Sequence, residues 1–224
     1  THRLSNHVSI GASVVREKVF VQHQTALFAD FAYALPLTET DNLYLGIKAG
    51  GNLFNIDSSR FKTYNDQYDP YLQGVSGRFQ PNVGVGAYYQ QPRFYVGLSA
   101  PNLLASDKTK VENEVVTSVA ERISFYAQAG YFYPLTADFT LSPRAQAYIN
   151  QKGDYQLNAS AAVLYSDYVE AALGYRSDSA VNICALFKVP KYHLSVGYGF
   201  ETNVDNNVGA SVRNFHEFML KVYW

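Results

Sequence analysis

Apolar residues recur at every second position in about a dozen stretches of this chain. Val8, Ile10, Ala12 and Val14 alternate with Ser9, Gly11 and Ser13. Leu27, Ala29, Phe31, Tyr33 and Leu35 alternate with a set that includes Asp30, and Leu43, Leu45, Ile47 and Ala49 with Tyr44, Gly46, Lys48 and Gly50. A period of two predicts strands with two unlike faces, and the turn residues of 36–41 separate the second from the third. The pattern resumes at 83–89 and 94–98, then runs densely through 123–133, 141–149, 157–165, 169–175, 181–187 and 192–200. The last strand sets Phe218, Leu220, Val222 and Trp224 against Glu217, Met219, Lys221 and Tyr223. Pro143 sits awkwardly within its strand, because it lacks a ladder donor; a bulge there would accommodate it.

Four polar interruptions break the pattern: 15–26, 53–80, 100–119 and 201–213. The part from Lys108 to Val119 has room for a short helix. Numbering the connections, the even ones are short, centred near Thr38, Gln91, Thr136, Asp167 and Pro190, and the first, third, fifth and eleventh are long. All long loops thus share one side, opposite both chain ends. A sandwich has no reason to sort its loops by parity, whereas an outer-membrane barrel does, with long extracellular loops and short periplasmic turns. About twelve strands of 9–11 residues also suit a bilayer crossing. The expected fold is all-β, a transmembrane antiparallel up-and-down β-barrel forming one domain over 1–224. A final strand ending on an aromatic residue fits, since bacterial outer-membrane barrels close with such a strand.

Composition narrows the class. The 224 residues are 47% hydrophobic and 17% charged with net charge −1, which excludes a disordered tail and a basic nucleic-acid binder. Mean hydropathy is −0.17 and no apolar run approaches the roughly 20 residues of a spanning helix, yet barrel strands average to the same value. Nineteen Tyr against one Trp and one Met suit two membrane–water interfaces. The bland alternative is a Tyr-rich β-sandwich. Cys184 stands alone, so no internal disulfide forms.

The apolar alternating set is expected to face lipid, because it carries almost no charge between strand ends. The opposite set holds Asp30, Lys48, Arg144, Glu170, Arg176, His193, Glu217 and Lys221. Mixed signs suggest a lumenal network of ion pairs and Tyr hydroxyls with a structural role. No catalytic constellation stands out. His193 and Ser195 share a face without an orienting acid, His216 and Glu217 point apart, and the histidines lack metal-ligand spacing. Gly84-Val-Gly86 lies inside a strand and is no phosphate loop. No cofactor, metal site or nucleic-acid partner is expected.

Several segments resemble the PorP/SprF family of type IX secretion system outer-membrane proteins from Bacteroidetes. Pro81-Asn-Val-Gly-Val-Gly-Ala-Tyr-Tyr89 followed by Phe94-Tyr-Val-Gly-Leu-Ser-Ala-Pro-Asn-Leu-Leu104 is similar to the family's central hairpin. Gly174-Tyr-Arg176, Gly197-Tyr-Gly-Phe200 and His216-Glu217 fit as well, while Glu201 stands where the family often has Asp. The resemblance implies a further amino-terminal stretch before Thr1, giving 14 strands in the full barrel. It also implies a non-enzymatic protein of the bacterial outer membrane, in contact with lipid, exported surface proteins and other type IX components. Its role would be a translocon-associated component or a surface anchor for an exported adhesin; a passive diffusion porin is the alternative. The aromatic residues of the 53–80 loop, Phe61, Tyr64, Tyr68 and Tyr71, are expected either to meet a partner or to plug the lumen.

Overall fold

A computed structural model describes residues 2–19, 22–56, 78–104, 106–112, 115–121, 123–166, 168–204 and 214–222. The strands are β1 (His2–Arg3), β2 (Val8–Val19), β3 (Gln22–Pro36), β4 (Asn42–Ile56), β5 (Arg78–Gln90), β6 (Phe94–Asn102), β7 (Ser106–Glu112) and β8 (Val115–Glu121). They continue with β9 (Ser124–Tyr131), β10 (Tyr133–Pro134), β11 (Phe139–Asn150), β12 (Tyr155–Tyr165), β13 (Val169–Arg176), β14 (Ala180–Val189), β15 (Leu194–Asn203) and β16 (Asn214–Val222). One 14-stranded sheet follows chain order, except that β6 neighbours β9, with β7–β8 forming a separate hairpin, and β9 neighbours β11, with the short β10 also paired to β11. The chain is therefore all-β with up-and-down antiparallel topology, the class the alternation predicted. Twelve of the sheet strands are long; β1 and β10 have two residues each. No helix among the described residues is long and apolar enough to cross a membrane.

By contact density the chain divides into two compact units. The first comprises Thr1–Leu37, Asn42–Tyr88 and Ser99–Phe125, and the second Thr38–Asp41, Tyr89–Leu98 and Tyr126–Trp224. In the first, β2 and β3 pair without interruption from Val8 opposite Tyr33 to Val19 opposite Gln22. Residues 15–26, expected to be a polar loop, are thus mostly strand, and the first connection is short. The reason is that a ladder is held by backbone hydrogen bonds. Polar cross-strand pairs such as Arg16 opposite Thr25 sustain it where neither face is buried. The helix expected near Lys108–Val119 is also replaced: β7 and β8 pair from Ser106 opposite Glu121 to Glu112 opposite Val115. Val111, Val115, Val116 and Val119 are β-branched, which favours strand over helix. The Gly84 reading holds, since a Cβ there would come within 2.6 Å of the Pro101 carbonyl oxygen. Close strand approach, not phosphate binding, requires the glycine.

In the second unit, β11 pairs with β12 through Pro143 opposite Ala161 with consecutive register, so no bulge forms on that side. Ser166 donates its N–H to the Asp138 carbonyl, which puts the bonded pairs of this ladder at even β11 positions. The Pro143 nitrogen therefore points away from β12, towards the side where the neighbouring strand breaks between β9 and β10. That is how a proline sits in mid-strand without orphaning a β12 carbonyl. In the same unit, the Tyr95 ring lies over Gly130, where a Cβ would meet the ring at 2.5 Å.

The two faces of the second unit differ. On β12, Tyr155, Leu157, Ala159, Ala161, Val163 and Tyr165 are all exposed, while Gln156, Asn158 and Ser160 are half-buried and Ala162 is buried. The apolar row begins and ends on tyrosine. At about 3.3 Å per residue and a 45° tilt, those ten steps span roughly 23 Å of depth, close to the ~25 Å apolar band of outer-membrane barrels. One rim continues sideways, with the Phe139 and Tyr165 rings 4.9 Å apart and Phe187 opposite Val169.

Candidate functional site: the polar face of the sheet

Two ion pairs organise the polar face of the second unit, and both are built alike. Arg144 on β11 reaches Glu170 on β13 at 2.6 Å, passing over the strand between them. Arg176 at the end of β13 reaches Glu201 on β15 at 2.9 Å, passing over β14. Strands lie about 4.8 Å apart, so a partner two strands away is within reach of an arginine only if the intervening side chain is small. Here it is: Ala162 on β12 and Ala180 on β14 are fully buried under these bridges. Arg176 has a second partner, donating from Nε to Asp178 Oδ1 at 2.6 Å in the β13–β14 turn. Gln156 donates to the other oxygen of the same carboxylate at 3.1 Å. The hydrogen bond from Arg176, with its positive charge, holds the Asp178 carboxyl below the usual carboxylate range.

The remaining residues expected in the network are placed differently. Asp30 stands opposite Lys48 in the β3–β4 register, but the Lys48 ammonium lies 4.2 Å over the Phe28 ring. Glu217 and Lys221 lie on β16, opposite Gly199 and Ser195, and every residue of that strand is exposed. His193 is not on a strand face. It ends a short 3-10 turn, Pro190–Tyr192, with φ of 51°, while Ser195 is buried on β15. The two therefore do not share a face. Glu201 and Asp178 were missing from the expected set. Glu201 was legible, since extending the β15 alternation from Gly197 and Gly199 puts it on the polar face. Asp178 carries no periodic signal, because it sits in a turn.

A cavity of about 550 Å³ is lined by Arg176, Cys184, Gly199, Glu201 and Glu217 together with Ile183 and Phe200. The glycine supplies the room and Cys184 is a free thiol. In the first unit the polar face is tighter: Asn52, Gln80 and Asn82 are buried, and Asn82 accepts the Leu104 N–H. The aromatic set Phe61, Tyr64, Tyr68 and Tyr71 lies outside the described residues. Among the described residues no group of three His, Cys, Asp or Glu side chains is arranged to hold a metal.

Among the described residues nothing in this arrangement pairs a nucleophile with a base, and the Arg144–Glu170 and Arg176–Glu201 pairs each join strands two apart. A model of the family described as Type IX secretion system membrane protein PorP/SprF matches residues 1–222. No curated protein and no solved structure matches.

Proposed function

The chain belongs to the PorP/SprF family of type IX secretion system membrane proteins, and from that premise we propose that it is an outer-membrane barrel acting by contact. It serves either as a component beside the type IX translocon or as the surface anchor of an exported adhesin. The family is one of secretion-system membrane components and not of enzymes. The match over residues 1–222 carries this reading; the tyrosine-bounded apolar face, about one bilayer deep, supports the membrane placement. Partners are exported surface proteins and other type IX components, with lipid against the apolar face. Ion pairs bridging alternate strands support a structural interior over a diffusion pore.

The test is removal of the gene followed by protease shaving of intact cells. Loss of type IX cargo from the surface, restored by the wild-type chain, supports the proposal. Unchanged surface delivery together with steady conductance of the purified protein in a planar bilayer would replace it with a porin.

A further inference from the structure

The outward face of the β2–β3 hairpin changes character beyond Val14 and Leu27. Below that level it is apolar, with Val8, Ile10, Ala12 and Val14 on β2 and Leu27, Ala29, Phe31, Tyr33 and Leu35 on β3. The next outward positions are Arg16 and Lys18 on β2, opposite Thr25 and His23 on β3. From Leu35 to Thr25 is ten residues, about 23 Å of depth at a 45° tilt. That nearly exhausts the ~25 Å apolar band, so Arg16 stands at headgroup level and Lys18 one step further out. Both cations are exposed, and neither has an ion-pair partner among the described residues. The nearest carboxylate in sequence, Glu17, lies on the other face of the strand.

We infer that Arg16 and Lys18, with the His23 imidazole beside them, form a site for lipid headgroups of net negative charge that carry phosphate, in the leaflet they adjoin. The occupant follows from charge and place. Two unpaired cations on a lipid-facing surface, just past the end of the apolar band, meet the phosphate layer and not the acyl chains. A long cationic side chain at this level lays its alkyl stem along apolar surface and sends its charged end outward. The residues are held in place by the continuous ladder, which carries β2 and β3 several residues past the bilayer edge. The inference rests on the outer-membrane placement proposed above and adds lipid recognition at a defined rim.

The test uses the full chain in detergent micelles doped with phosphatidic acid or, separately, phosphatidylcholine, with bound lipid counted by native mass spectrometry. Each cation near an anionic surface is worth about fivefold in affinity. Arg16→Gln with Lys18→Gln should therefore weaken phosphatidic acid binding roughly 25-fold and leave phosphatidylcholine unchanged. Arg16→Lys with Lys18→Arg should retain the lipid, and Glu17→Gln should have no effect. Heat-modifiable gel mobility reports separately whether the barrel is intact, so a folding defect is not mistaken for lost binding. Equal phosphatidic acid binding by the folded double glutamine variant would overturn the inference. Displacement of the lipid by an equal concentration of inorganic phosphate would overturn it too, by making the site one for free phosphate.

Discussion

Ile183 and Cys184 are consecutive residues on β14, and strand alternation sends their side chains to opposite faces of the sheet. Ile183 is 53% exposed in the apolar row of β14, whereas Cys184 shares the polar row with Gly199 and Glu217, and both residues border the same cavity. Phe187 marks the aromatic rim on this strand, and Ile183 is four residues in from it. At about 3.3 Å per residue and a 45° tilt that is roughly 9 Å of depth, close to the middle of a ~25 Å band. An arginine near the midplane of a barrel's lipid face costs about 2–4 kcal/mol. Ile183→Arg should therefore lower the folding equilibrium roughly 30- to 700-fold. Cys184→Arg carries the same charge one residue on, but on the face that holds Glu201 and Glu217, and should cost less than about 1 kcal/mol. Refolding both into lipid vesicles, titrating with urea and reading the folded fraction by heat-modifiable mobility gives the two free energies. Equal losses would refute the face assignment, and no loss in either would refute the bilayer placement of β14.

Ala162→Leu should cost about 1–3 kcal/mol by overpacking beneath the Arg144–Glu170 bridge. A double-mutant cycle on that pair, about 0.2–1 kcal/mol in the native background, should then read near zero. Asp178 has a depressed folded pKa, so its bond with Arg176 stabilises above the unfolded carboxylate value of about 4 and is lost as pH falls through the lower folded value. Asp178→Asn should remove that part of the acid sensitivity, measured as the difference in urea midpoint between neutral and strongly acidic pH.

The strand pattern was legible wherever one face meets an apolar medium and the other does not. The rows of β12 and β13 are legible residue by residue from alternation alone, because two unlike faces write a period of two into the sequence. The same reasoning failed for residues 15–26 and for β7–β8. There hydrophobicity loses its period, and the ladder persists on backbone hydrogen bonds and β-branched side chains. Alternation also reports facing direction but not reach. It placed Arg144, Glu170 and Arg176 on the polar face, yet the choice of partner depends on Ala162 and Ala180, small residues that let an arginine cross a strand. Lys48 shows the converse. Asp30 is directly opposite in register, but an aromatic ring two residues earlier on β3 takes the ammonium.

The central claim is that this barrel works through a protein partner of the type IX system, and co-purification tests it most directly. Outer membranes from cells expressing a tagged chain are solubilised in mild detergent, the barrel is recovered, and the bound polypeptides are identified by mass spectrometry. The expected result is an exported type IX cargo or translocon component retained with the folded barrel and absent when an unrelated barrel carries the tag. Recovery of the folded barrel alone from cells actively exporting type IX cargo would contradict the claim.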